Sequence, residues 1–463
     1  MYFEETVKKM RSEGGYFAGD SPVFICRAPG RLDLMGGNDD YTGGLVFEST
    51  ISEATYAAAQ LREDRSVELI NADVNRAGWQ GNVLISLDDL YQKEQVIAIA
   101  ARSHALRWTA YVLGNLHYLL RKYPDRVRSG VRLYMESTVP FNRGVSSSAA
   151  IEVAVMKSAA AAYGIMLSGV ELAQACQWVE NVIAGSACGI MDQITVVTGL
   201  RGYIMPLVCQ PCNPEPLIRL PEQLTVWGID SGVSHQVAGI AYEAARAAAF
   251  MGYKAICDGE NIPVTLDSHA DIPRYTDPVF NGYLANLSRS VFYQKYERAL
   301  PESISGREYL QKYGLHTDPF TPLKEDVIYN VRANTRYAVE ENHRVQLFSE
   351  LSRGASAVPT QRAFALMGEL MYQSHYAYTE CGLGAGATDY LVGLCRKRGI
   401  GSGIYGAKIT GGGAGGTVAV LAGADAGDTI RQIFKEYSDA GLGHPFLFEG
   451  SSDGADKYGV QSV

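Results

Sequence analysis

Val131-Arg132-Leu133-Tyr134-Met135-Glu136, followed closely by Val139-Pro140-Phe141-Asn142-Arg143-Gly144-Val145-Ser146-Ser147-Ser148-Ala149-Ala150, is the stretch that decides how this chain folds. Its first six residues alternate apolar and polar, as a half-buried strand does. From Ala149 to Tyr163 come helix formers, with an apolar face predicted along one side. A strand, a loop of small residues and a helix opened by three serines can hold an anion. The free N–H groups of the first turn and the positive end of the helix dipole converge there. Serine is also a favoured cap of ordinary helices, so this stretch alone leaves both readings open.

Working outward, 463 residues exceed what one core supports, and two domains are expected. Hydrophobic residues at 47% and charged residues at 20% are ordinary for a globular chain. A net charge of −9 argues against a broad nucleic-acid or membrane surface, so the expected partners are small molecules. It leaves room for a small anion site built from backbone N–H groups and one cation. The eight cysteines are scattered, and Cys209-Gln210-Pro211-Cys212 has no second pair, which argues against a zinc ribbon. Met1 to Met10 is charged and lacks the apolar core of a secretory signal. No apolar run approaches the ~20 residues needed to span a bilayer, and a cytoplasmic location is expected.

Upstream, a helix is predicted over 2–13 and a strand over Val23 to Arg27. Arg27-Ala28-Pro29-Gly30-Arg31-Leu32-Asp33-Leu34-Met35-Gly36-Gly37-Asn38-Asp39-Asp40-Tyr41-Thr42-Gly43-Gly44 follows. Charged residues packed between glycines and a proline suit a functional loop. Strands are expected at 45–50, 53–62 and 66–71, and a helix near 106–122. Downstream, Ser168-x-x-Glu171 has the form of a capping box opening a helix that carries Glu180 near its end. Gly185 to Gln193 is a second candidate loop, with Gly189 and Asp192. Five prolines between 201 and 228 mark a domain boundary. We therefore expect an N-terminal domain over 1–222 and a C-terminal domain over 223–463.

In the second half a strand around Val226 to Asp230 precedes a helix over 239–257 with Tyr242. The polar, proline-punctuated segment 258–325 reads as an insertion, with a helix near 305–313 capped by Ser305 and Glu308. Helices at about 327–350, 360–378 and 388–398 lead to Tyr405-Gly406-Ala407-Lys408-Ile409-Thr410-Gly411-Gly412-Gly413-Ala414-Gly415-Gly416. Five glycines in six positions let backbone approach backbone or a ligand. Gly450-Ser451-Ser452-Asp453-Gly454 fits a hydrolase elbow, but no histidine follows His444 to complete it.

Three small-residue motifs in this order resemble those of the GHMP sugar kinases, the family of galactokinase, homoserine kinase, mevalonate kinase and phosphomevalonate kinase. They are Arg27 to Gly44, Pro140 to Ala150, and Lys408 to Gly416. Cys188-Gly189-Ile190-Met191-Asp192-Gln193 adds a galactokinase-type signature, and no GxxxxGK[ST] P-loop competes. Gly30 to Gly37, Gly228-Ile229-Asp230-Ser231-Gly232-Val233-Ser234-His235, Leu300 to Gly306 and Leu370-Met371-Tyr372-Gln373-Ser374-His375-Tyr376 are similar to the L-arabinokinase branch.

The resemblance implies an α+β fold of two domains with the active site in the cleft between them. It implies that Pro140, Asn142, Arg143, Gly144, Val145, Ser146, Ser147, Ser148 and Ala149 wrap the phosphates of ATP. Gly411, Gly412 and Gly413 would close beside the nucleotide and sugar. Ser148 and Glu180 would hold Mg²⁺, two hard oxygens completed by water and phosphate. Asp192 would take or hold the reacting hydroxyl, and Arg31 would stabilise developing charge. Asp40 would accept hydrogen bonds from ring hydroxyls, with Tyr242 and Gly189 lining the sugar pocket.

In galactokinases the position matching Gly37 is an acid that binds the exocyclic hydroxyl of galactose, and the next is histidine. Here they are Gly37 and Asn38. L-arabinopyranose lacks that exocyclic carbon, and a buried acid with nothing to bind would cost roughly 1–3 kcal/mol. The implied reaction is ATP-dependent phosphorylation of L-arabinose at its anomeric hydroxyl. The alternatives are D-galactose or another galacto-configured sugar, such as a uronic acid, and a non-catalytic sugar and ATP sensor. Asn142 and Arg143 stand where galactokinases usually have glycines, and Ala414 where Phe is common. Arg143 could add a cation near the phosphates.

Overall fold

Two long strands, Phe24–Met35 (β1) and Leu45–Leu61 (β2), run antiparallel through the first half and carry much of the site. The computed structural model describes residues 2–12, 15–19, 21–74, 78–233, 238–268 and 272–463. β1 continues straight through Arg31 and Asp33, so the loop expected over Arg27 to Gly44 begins only at Gly36. A register shift between Pro29 and Arg31 absorbs the proline and Gly30 within the strand, and a second lies between Asp33 and Met35. Likewise the strands expected at 45–50 and 53–62 are one strand. Its first part pairs with Tyr203–Val208 (β6) and its last with Val131–Ser137 (β5).

With Ser66–Asn71 (β3) and Asn82–Ser86 (β4), these strands form one mixed sheet in which, among the described residues, only the β3–β5 pairing is parallel. Over it lie Thr109–Lys122 (α1), Ser147–Ala162 (α2), Gly169–Val179 (α3) and Met191–Thr198 (α4). The Ala-rich α2 is buried on every side from Ala149 to Ala160, not along one face. It is sandwiched between β1 and β2 below and α1 and α3 above, so small residues all round are what fits. Ser168 stands at the start of α3 but makes no side-chain cap, whereas Ser305 and Glu308 do form the expected capping box.

The second half is a four-stranded antiparallel sheet of Ile404–Ile409 (β8), Thr417–Gly423 (β9), Leu224–Asp230 (β7) and Phe446–Glu449 (β10), in that order. Ala238–Gly259 (α5), Val331–Ala357 (α6), Gln361–Glu380 (α7) and Gly386–Arg398 (α8) pack around it and between the halves. The two large sheets fall on either side of residues 222 and 223, with one exception. Gln461–Ser462 (β11) returns to pair with Phe24 and Ile25 of the first sheet.

One apolar cluster joins Leu32, Phe47 and Val145 of the first half to Phe348, Met371, Ala419 and Phe448 of the second. The cleft therefore has a shared, close-packed floor. All eight cysteines are free thiols. Among the described residues no helix is long and apolar enough to cross a membrane.

Candidate active site

The serine turn takes a conformation an ordinary cap does not. Ser146, at the start of α2, is left-handed at φ 59°, makes no side-chain cap, and leaves its buried hydroxyl without a partner. Asn142 and Gly144 are also left-handed, so the loop coils tightly into the helix start. A cleft of about 670 Å³ opens there, lined by Asn142, Arg143, Gly144, Ser146, Ser147, Ser148, Glu180, Asp192, Arg31 and Gly412. Its far end is walled by Trp79, Trp108, His104 and Phe141, with Trp79 and Phe141 ring centres 5.5 Å apart.

That aromatic wall was not anticipated, because its members come from separate elements and form no motif. Of the expected phosphate-loop residues, Pro140, Val145 and Ala149 do not line the cleft. Val145 serves from behind, its carbonyl accepting from the Arg31 amide at 3.2 Å. Arg143 does not point freely toward the phosphates either. Its guanidinium sits 3.0 Å from Asp230 of β7 and ties the loop to the second half.

Arg31 is 3% exposed and is held from three sides. Nε and Nη2 donate to Asp192 Oδ1 at 2.9 and 2.6 Å, Nη1 donates to the Gly144 carbonyl at 2.7 Å, and Glu48 lies 3.3 Å from Nε. Burial alone would lower its pKa, but Asp192 and Glu48 outweigh burial and hold it charged. Asp192 stands in the first turn of α4 with a side chain 20% exposed into the cleft. Arg31 and Asp192, far apart in sequence, are thus brought together at the serine turn.

Glu180 begins a π-helical turn after α3 and is buried. Its carboxyl is pushed up to about 7, first by burial and then by Asp192, against hydrogen bonds from Ser148, Cys188 and Gln193. Of the three serines, Ser148 is therefore the one in reach of Glu180. A serine hydroxyl and a buried, under-compensated carboxylate fit a magnesium ion that keeps several waters. Among the described residues no cluster of three or more His, Cys, Asp or Glu offers an alternative metal centre.

Asp40 is 6% exposed beyond Asp192. A Cβ on Gly189 would sit 1.9 Å from Asp40 Oδ2, so only glycine lets that loop close over the carboxylate. Asp40 and Gly189 open onto a second cavity of about 480 Å³. Tyr242, on α5, stands edge-on to Tyr41 with ring centres 5.9 Å apart, and Gly412 lies against its ring. Asn38 is 2% exposed with both amide atoms unpartnered.

Gly37 is not an empty position. A Cβ there would fall 2.1 Å from both the Tyr378 hydroxyl and Asp33 Oδ2. Tyr378 donates at 2.9 Å to the carbonyl of Gly411, and Tyr337 donates to the carbonyl of Gly37. Beneath lies an ion pair without solvent access, Lys408 Nζ to Asp33 Oδ2 at 2.6 Å. Gly411 approaches the Gly144 carbonyl so closely that a Cβ would meet it at 2.8 Å. Gly413 packs on Leu383 and Tyr378 behind the cleft. Ser234 and His235 lie outside the described residues.

Residues 110–200 match the GHMP kinases N terminal domain, 16–61 the galactokinase galactose-binding signature, and 355–440 the GHMP kinases C terminal family. The chain belongs to the GHMP kinase family, in its galactokinase-like branch. It is 34% identical to the L-arabinokinase of Arabidopsis thaliana over 509 aligned positions, which cover 99% of this chain and 48% of that protein. The chain thus spans about half the length of that relative. To a galactokinase of Chloroflexus aggregans it is 29% identical, covering 88% of this chain and 85% of that one. The Lactococcus lactis galactokinase complexed with galactose shares the fold at TM-score 0.74 and 20% identity, with both chains fully covered.

Proposed function

We propose that this chain is an ATP-dependent sugar 1-kinase that phosphorylates L-arabinose at its anomeric hydroxyl. The observation that carries the reading is the Arg31–Asp192 pair at the serine turn, with Asp40 beyond it. The triphosphate lies in the 670 Å³ cleft, its γ-phosphate at the free amides of Ser147 and Ser148. The nucleoside lies toward Trp79 and Phe141. Magnesium held by Ser148 and Glu180 would neutralise charge on the phosphate oxygens.

Asp40 accepts from ring hydroxyls and turns the anomeric oxygen toward Asp192. The oxygen–phosphorus bond forms as the bond to ADP breaks, and the hydroxyl proton passes to Asp192. Arg31 offsets the charge that builds on the transferred group. Glu48, behind Arg31, keeps the guanidinium from being drawn wholly onto Asp192.

Two observations bear on which sugar. The Tyr378 hydroxyl fills the place an acid at position 37 would need, which removes the usual holder of an exocyclic hydroxyl and favours a pentose. The unpartnered amide of Asn38 favours the second reading, D-galactose, since it could both donate to and accept from such a hydroxyl. An ADP-release assay over free L-arabinose, D-galactose and D-galacturonate separates them. Arabinose turnover well above galactose is expected. The reverse order would move the assignment to galactose, and binding without turnover would make the chain a sensor. Gly37→Glu alone should not create a galactokinase, because the new side chain collides with Tyr378. Gain of galactose turnover in that single variant would contradict the packing argument.

The sugar step should also depend on pH. The Asp40 carboxyl is pushed up to about 6, first by burial and then by Asp192, against Arg246. It must be ionised to accept two hydroxyls. As pH falls through that value the proton returns, so kcat/KM for sugar should drop roughly tenfold per unit below about 6. A flat sugar profile from pH 7 to 5 would contradict the role. For folding stability the sign is opposite: the Asp40 contribution is complete below the ordinary carboxylate range and is lost as pH rises through about 6.

A further inference from the structure

We propose that Arg246 is a sugar-specificity residue, anchored by Asp318 of the 258–325 insertion and donating its free Nη1 to a sugar oxygen that Asp40 also engages. The proposal rests on reading the site as that of a sugar kinase. Nothing in the sequence motifs pointed to either residue.

Arg246 lies four residues beyond Tyr242 on α5, hence on the same face of the helix. It is 4% exposed. Nε and Nη2 donate to the two carboxylate oxygens of Asp318 at 2.7 and 3.0 Å, a parallel fork that leaves the group little freedom. The guanidinium stands 5.0 Å from the ring centre of Tyr41 and 5.7 Å from that of Phe250. Asp318 is fixed in turn by the Thr321 hydroxyl at 2.5 Å and the Phe320 amide at 3.2 Å. Burial alone would raise the Asp318 carboxyl, but Arg246 outweighs it and keeps the pair ionic.

Against this immobilised background one donor is left over. Nη1 of Arg246 is buried and has no hydrogen-bond partner. Leaving a charged donor buried and unsatisfied is costly, so such an atom marks a place where something binds. Arg246, Asp40, Tyr41 and Gly189 line the same cavity, and the guanidinium lies beside the Tyr242 hydroxyl. An acceptor at Asp40 and a donor at Arg246 therefore face one cavity. A hydroxyl satisfies both, since it donates to a carboxylate while accepting from a guanidinium.

The same arrangement selects against an anion. Asp318 already neutralises Arg246, so a sugar carboxylate at this donor would meet the charges of both Asp40 and Asp318 around one guanidinium. The class of ligand is thus a neutral monosaccharide, and a uronic acid is rejected at this end of the site. The 258–325 insertion acquires a function too: it supplies the anchor that aims the donor.

The test compares Arg246→Met, Arg246→Lys and Asp318→Asn with the unaltered chain, using L-arabinose, D-galactose and D-galacturonate. Arg246→Met should raise sugar KM by about tenfold or more while ATP KM stays within about twofold. Arg246→Lys should restore part of the loss, because an ammonium donates without the fork. Asp318→Asn should move sugar KM the same way and by less, and should relax the discrimination against galacturonate. ATP KM rising in parallel, or sugar KM unchanged in Arg246→Lys and Asp318→Asn, would overturn the proposal. If the unaltered chain turned over no sugar, the kinase reading would fail. Sugar-dependent protection against thermal unfolding, present in that chain and lost in the variants, would then still support this inference, and equal protection would refute it.

Discussion

Replacing Asp192 with asparagine should lower turnover by about 10³-fold or more while nucleotide and sugar binding change little. Asparagine keeps the shape and still accepts from Arg31, so the pair at 2.6 Å becomes a neutral-acceptor contact without rebuilding the loop. What is lost is the group that takes the hydroxyl proton as the new oxygen–phosphorus bond forms. Arg31 keeps Glu48 at 3.3 Å and the Gly144 carbonyl, so the guanidinium is not stranded and folding should survive. Calorimetric titration with an ATP analogue and with sugar reads the binding, and ADP release reads the rate. A near-normal rate would remove Asp192 from the chemistry.

The second large effect concerns the joint between the halves. Lys408→Met should destabilise the fold by about 3–5 kcal/mol, because it strands Asp33 as an unpaired buried carboxylate. Both side chains are shut off from solvent, and without Nζ the carboxylate retains the Gly37 amide at 3.1 Å. Burial already raises the Asp33 carboxyl, and the lysine is what opposes that shift most. The loss should therefore shrink in acid, where Asp33 takes up a proton. Adding Asp33→Asn to Lys408→Met should recover part of the stability. Equilibrium denaturation of both variants checks this, and a single variant as stable as the unaltered chain would contradict it.

The parts of the site legible in the sequence were those whose chemistry needs contiguous small residues. The serine turn and the Gly411 region were visible because amides must approach a ligand or one another. Arg31 and Asp192 were visible only through motifs around them, since nothing local says that residues so far apart share a hydrogen bond. The Arg27–Gly44 segment misled because its charges look solvated, whereas Arg31 and Asp33 are buried against Glu48, Asp192 and Lys408. Its Pro29 and Gly30 sit at a strand irregularity. Trp79, Phe141 and Tyr378 carried no signal, as each works through a contact made only in three dimensions. Arg246 was within reach, one helical turn from Tyr242, but its meaning depends on Asp318 in a segment that reads as a mere insertion.

The position of Gly37 shows how the substrate question depends on packing. From sequence, a missing acid suggests a vacancy at the sugar's exocyclic end. In the fold that space belongs to the Tyr378 phenol, which also supports the Gly411 carbonyl, so sugar pocket and glycine loop are built as one piece. A change of sugar would then require changes at both positions.

The most direct measurement is a crystal structure with a non-hydrolysable ATP analogue and L-arabinose bound together. The account predicts the γ-phosphate against the amides of Ser147 and Ser148, with the anomeric oxygen between it and Asp192. A triphosphate bound away from the serine turn, or an anomeric hydroxyl directed away from Asp192, would contradict it.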